Sequence, residues 1–107
     1  MPIRVMVFAA IQQSNAGAFE AAYRTVTASV KGTPGHIHDE LLRDSDRPGH
    51  YVLLSEWDSA EAFLAWEDAP VHRQLTTPMR PYWDGPVERT VFEVAASLDL
   101  SPTASSA

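Results

Sequence analysis

His72 and Arg73 stand side by side just after Pro70. An imidazole with an ordinary pKa of about 6.5 is matched to taking a proton from a phenol or a comparably acidic C–H at neutral pH. A neighbouring guanidinium can hold the oxyanion that results through charge-assisted hydrogen bonds. Arg80 offers the same service, and the Pro81-Tyr82-Trp83 that follows it suits a loop lid with an aromatic inner side. His38 and Asp39 are further candidates for the base. His36, His38 and His50 fall at the starts of two neighbouring strand-like segments, which an antiparallel hairpin holds far apart, so a three-histidine metal site is not expected. Trp57, Trp66, Phe63, Leu53, Tyr51 and Trp83 are large apolar groups that either pack a core or wall a pocket for a flat aromatic ligand. The chain has no cysteine, which excludes thiolate metal sites, disulfides and a cysteine nucleophile.

The elements that must position these groups are legible from the spacing of apolar residues. Ile3 to Ala10 is a nearly unbroken apolar run with β-branched residues, which predicts a strand covered on both faces. Phe19, Ala22, Tyr23, Val26 and Val30 recur at helical spacing behind the cap-type residues Ser14 and Asn15, and Gly32, Pro34 and Gly35 end that helix. His36 to Arg43 and His50 to Trp57 predict a hairpin around an Asp-, Pro- and Gly-containing turn. In its second arm Tyr51, Leu53, Ser55 and Trp57 share one face. Asp58 with Glu61 predicts a capped helix that turns Ala62, Phe63 and Trp66 inward. Pro70 then opens a short helix, Val71 to Thr77, and Pro78, Pro81 and Gly85 break the chain before a last strand from Val87 to Ala96.

The order β-α-β-β-α-β predicts an α+β, ferredoxin-like domain over residues 1–98, with a disordered tail at 99–107. At 107 residues the chain holds one domain of ordinary size. Its net charge of -6 opposes nucleic acid. It shows neither an export signal nor an apolar stretch of the roughly 20 residues a membrane span needs, so a cytoplasmic protein without membrane association is expected. Two helices cover one face of a four-stranded sheet whose strands look apolar on both sides. A homodimer that presses the free faces together is the expected resolution, with strand four also touching the partner.

The stretch from Ser55 to Trp66, followed by Pro70-Val71-His72-Arg73, resembles the antibiotic biosynthesis monooxygenase family of the dimeric α+β barrel superfamily. Pro34-Gly35 and Glu40-Leu41-Leu42-Arg43 extend the resemblance to roughly Ile3 to Val94, and the Trp66 to Tyr82 region is similar to small proteins of aromatic polyketide and spore-pigment pathways. The resemblance implies an enzyme: a monooxygenase that converts an anthrone-type or phenolic polyketide to a quinone or hydroxylated ring, with O₂ as cosubstrate and no cofactor. An aromatic polyketide cyclase, or a non-catalytic protein that binds the intermediate, is the alternative. The candidate site is catalytic at His72, Trp57, Arg73 and His38 and binds substrate through Tyr51, Leu53, Phe63, Trp66, Arg43 and Trp83, without a metal. Quinone-forming relatives carry Asn, His, Tyr and Arg where this chain has Leu53, Arg43, Phe63 and Thr76. The heme-degrading branch needs an Asn within Val7-Phe8-Ala9-Ala10 and a His at Thr76, so heme is not expected despite Trp66.

Overall fold

The computed structural model describes residues 1–98. The expected tail at 99–107 lies outside the described residues. Four strands and three helices follow one another as β1 (Ile3–Ala10), α1 (Ala16–Val30), β2 (His36–Arg43), β3 (His50–Trp57), α2 (Ala60–Asp68), α3 (Pro70–Thr76) and β4 (Glu88–Glu93). The sheet order is β2-β3-β1-β4 with every neighbouring pair antiparallel, which is the α+β ferredoxin-like arrangement. No described helix is long and apolar enough to cross a membrane.

Period-two alternation sorts the side chains between two faces. Ile3, Val5, Val7 and Ala9 of β1 register with Trp57, Ser55, Leu53 and Tyr51 of β3 and face the helices. The core there has two parts. Phe19, Val26 and Val30 of α1 pack with Tyr51, Ile11 and Met79, while Phe63 of α2 packs with Ile3, Val5 and Trp57. Trp66 touches both parts. Complete burial of a side chain such as Phe19 contributes roughly 1.5–3 kcal/mol.

The opposite face is mixed rather than uniformly apolar. Phe8, Leu42 and Phe92 are exposed on it beside Met6, Val52 and Leu54, but Arg4 and Glu56 form an ion pair at 3.5 Å on the same surface. Of β4, Phe92 lies on this outer side, whereas Val91 registers with the inward Val5.

Local boundaries differ from the sequence expectation for physical reasons. Ser59, not Asp58, caps α2, its hydroxyl accepting from the Ala62 N–H at 3.1 Å. Asp58 is occupied elsewhere, since its N–H donates to the Gly35 carbonyl at 2.9 Å and extends the hairpin. Pro78 does not break the chain; it sits in the first turn of a 3-10 segment, Thr77–Tyr82, where its missing N–H costs no bond. β4 is shorter than Val87 to Ala96 because its partner β1 begins at Ile3, opposite Glu93.

One irregularity shapes the interior. Between His36 and His38 the β2–β3 register slips, so that His36 faces Trp57 while His38 faces Glu56. An extra residue in one strand reverses the side on which its neighbours emerge. His36 and Asp39, three apart, thereby fall on the helix-facing side.

Candidate active site

A cavity of about 240 Å³ lies between the sheet and its helices. Its walls are mainly apolar and aromatic: Val5, Val7, Leu53 and Trp57 from the sheet, Phe63 and Trp66 from α2, and Met79 and Trp83 from the segment after α3. The rings contact one another in sequence. Trp57 meets Phe63 edge to face at 5.6 Å, and Trp66 meets His72 edge to face at 5.0 Å. This volume is small for a ligand site and suits a flat molecule of few fused rings.

At one end α3 and the following 3-10 segment bring His72, Thr76 and Arg80 to the lining. Arg80 Nη2 donates to Thr76 Oγ1 at 3.1 Å, while its Nε is buried without a partner. Burial lowers the pKa of His72 below the ordinary imidazole value, and the Arg80 charge lowers it further against the opposing pull of Glu67. His72 is thus a neutral imidazole at pH 7, able to accept a proton beside a fixed cation.

At the other end stand Tyr23 of α1 and His36 and Asp39 of β2. The His36 ring stacks on Trp57 at 4.8 Å, and its Nε2 lies 2.6 Å from Asp39 Oδ2. Asp39 is thus the partner of the His36 ring, whereas the Tyr23 hydroxyl is buried without a hydrogen-bond partner. Burial raises the Asp39 pKa, with His36 and then His38 pulling the other way. Burial, Asp39 and Glu40 together hold the Tyr23 phenol well above its usual range, so it is a hydrogen-bond donor at neutral pH. The Glu67–Arg89 pair closes the side between α2 and β4, with Arg89 Nη2 donating to Glu67 Oε1 at 2.8 Å and its guanidinium 5.3 Å over the Phe63 ring.

Of the residues singled out from sequence, Trp57, Leu53, Phe63, Trp66, Trp83, His72, Asp39 and Arg80 meet in this cavity. Four do not. Tyr51 and Arg43 border a second depression of about 360 Å³, which shares only Tyr23 and Asp39 with the cavity and where the Tyr51 hydroxyl donates to Glu20 Oε2 at 2.6 Å and Arg43 Nη2 to Glu20 Oε1 at 3.3 Å. His38 emerges on the outer face because of the bulge, 3.4 Å from Glu40. Arg73 is exposed on α3 and absent from the lining, and Arg80, one turn beyond Thr76, is the cation that reaches it. Tyr23, His36 and the Glu67–Arg89 pair escaped the sequence reading as site residues. Tyr23 lay within an apolar helical stripe and was read as core, although its hydroxyl is the one polar tip in that stripe.

A family model described as antibiotic biosynthesis monooxygenase matches residues 2–77. Protein SchA of Streptomyces halstedii is 32% identical over 83 residues, which is 78% of this chain and 22% of SchA. The 42.8 kDa protein in the whiE locus of Streptomyces coelicolor is 31% identical over 77 residues, 72% of this chain and 19% of that protein. The chain therefore spans about a fifth of the length of these curated relatives. Among solved structures, SnoaB of Streptomyces nogalater, a cofactor-independent oxygenase, superposes with a TM-score of 0.76 at 22% identity, covering 91% of this chain and 96% of SnoaB. Rv0793 of Mycobacterium tuberculosis gives 0.70 at 20% identity, covering 94% and 99%. At such identities the structures share the fold. With the family model matching well over half its length, the chain belongs to the antibiotic biosynthesis monooxygenase family.

Proposed function

We propose that this domain is a cofactor-independent monooxygenase that oxidises a flat, electron-rich aromatic polyketide, of anthrone or phenol type, with O₂. The observation that carries the reading is that His72 and Arg80 line one end of an aromatic-walled cavity, with burial and Arg80 favouring the neutral imidazole. His72 removes a proton from the activated C–H, and Arg80 stabilises the enolate oxygen of the anion. The anion reduces O₂ by one electron; the radical pair combines to a peroxide, which takes back the proton from His72. Loss of the second C–H proton with departure of hydroxide, protonated to water, leaves the carbonyl. The sum is CH₂ plus O₂ giving C=O plus H₂O. The aromatic walls exclude bulk water from the reactive intermediates. SnoaB, a cofactor-independent oxygenase of the same fold, and the similarity to the whiE-locus protein support the reading.

Arg80 also bears on a departure from the pattern implied by the resemblance. Quinone-forming relatives hold Arg where Thr76 stands, and here the Arg80 guanidinium bonds to Thr76 from one turn further on. The same proposal includes a homodimer through the outer sheet face, where Phe8, Leu42 and Phe92 are exposed.

The test uses metal-free protein with 1,8-dihydroxyanthrone, following quinone absorbance and O₂ uptake above the protein-free rate. His72→Gln is expected to lower kcat by roughly 10²–10⁴-fold. Conversion no faster than the protein-free control overturns the proposal, and conversion of a poly-β-ketone analogue that continues without O₂ assigns a cyclase instead.

A further inference from the structure

The polar end formed by Tyr23, His36 and Asp39 is not used by the chemistry above. It lies in the same cavity as His72 and Arg80, yet it is built from different elements, α1 and the bulged start of β2. Asp39 and Glu40 act on Tyr23, and His36 and His38 on Asp39, whereas Arg80 and Glu67 act on His72. Between them run Trp57, Phe63 and Trp66.

Each end holds a buried polar atom without a partner: Tyr23 Oη at one, Arg80 Nε at the other. An unsatisfied buried donor or acceptor costs about 1–3 kcal/mol, and a chain that accepts this cost at the lining of a cavity gains it back from a ligand that supplies the missing bonds. The His36 side chain is only 12% exposed and that of Asp39 22%. A register slip in β2 was needed to bring both inward together.

We infer that Tyr23, His36 and Asp39 form a second hydroxyl-binding site, so that the chain selects planar ring systems bearing oxygen at both ends. The Tyr23 O–H donates to the ligand oxygen, and the His36–Asp39 pair accepts from the ligand O–H. The inference rests on the oxygenase reading for which end reacts, but not for its own test. A monophenol fills the His72–Arg80 end and leaves the Tyr23 hydroxyl unpaired; a ligand hydroxylated at both ends satisfies both.

The experiment compares 2-naphthol with 2,6-dihydroxynaphthalene, which carries its hydroxyls at opposite ends, by anaerobic fluorescence titration of the full chain. The wild-type protein is expected to bind the diol about tenfold or more tightly. Tyr23→Phe, which removes only the hydroxyl, is expected to reduce that ratio to within about threefold while the 2-naphthol affinity stays unchanged. His36→Phe, which keeps a ring to stack on Trp57, is expected to do the same. Equal binding of the two ligands by the wild type overturns the inference. So does an equal loss of both ligands in Tyr23→Phe, which marks a packing role alone. Because binding is read without O₂, selective diol binding by a protein that never consumes O₂ sustains this site and sinks the oxygenase. Turnover of singly and doubly oxygenated substrates with equal kcat/KM does the reverse.

Discussion

Gly35 is the residue whose replacement tests the packing behind the site most directly. Its φ is +82°, and a Cβ built there would lie 2.4 Å from the Ala62 Cβ and 2.8 Å from Asp58 Oδ1. Two penalties add in Gly35→Ala. A left-handed conformation costs a non-glycine residue about 1–2 kcal/mol, and forcing an extra methyl into a packed contact costs about 1–3 kcal/mol. The expected destabilisation is therefore about 2–5 kcal/mol, a large share of the roughly 5–15 kcal/mol a domain possesses. Gly32 supplies the control, since its φ is +88° but nothing lies within 4 Å of a built Cβ. Gly32→Ala should pay only the conformational part, about 1–2 kcal/mol. Urea unfolding at one fixed protein concentration measures the difference, with the Gly35→Ala midpoint expected lower than that of Gly32→Ala by about 1 M. Because Gly35 adjoins His36, the folded fraction should also bind 2,6-dihydroxynaphthalene less tightly. Equal midpoints for the two variants would refute the close approach of the β2 start to α2, and with it the placement of His36 on Trp57.

The acid limb of kcat/KM should fall below the ordinary imidazole value, because burial and Arg80 depress His72 against Glu67; Arg80→Gln should move that limb upward. The same depression contributes stability that is complete above the unfolded value of about 6.5 and is lost as pH falls toward the folded one, and in His72→Gln that part of the pH-stability curve should flatten. Tyr51→Phe should destabilise by about 1 kcal/mol through loss of the bond to Glu20, yet leave turnover unchanged; a loss of kcat above tenfold would return Tyr51 to the site. Phe92→Asp should convert a sedimenting dimer to monomer, whereas Val91, which faces inward, should not act through the partner; a wild-type protein that sediments as a monomer at micromolar concentration removes the dimer altogether.

The order of strands and helices was legible from residue types because it depends on local periodicity. The apolar run from Ile3, the stripe from Phe19 to Val30 and the alternation from Tyr51 to Trp57 each determine an element and its buried side without reference to the rest of the chain. The apolar half of the site followed for the same reason, since Leu53, Trp57, Phe63 and Trp66 sit on inward faces that periodicity alone identifies. In the polar half the residue types offered His72, Asp39 and Arg80, and tertiary structure decided which candidates share the cavity. Strict alternation puts His36 and His38 on one side, but the slip between them turns His36 inward and His38 out, and nothing in the residue types announces an unpaired Ile37. Tyr51 shares its face with Trp57 as alternation requires, but the face is longer than the cavity, and Glu20 of α1 captures the Tyr51 hydroxyl. Of the two candidate cations, Arg80 and not Arg73 reaches the cavity because a 3-10 continuation through Pro78, rather than a chain break, carries its guanidinium back to Thr76. Periodicity assigns a side chain to a face; which atoms of that face enclose a common space depends on contacts between elements far apart in the chain.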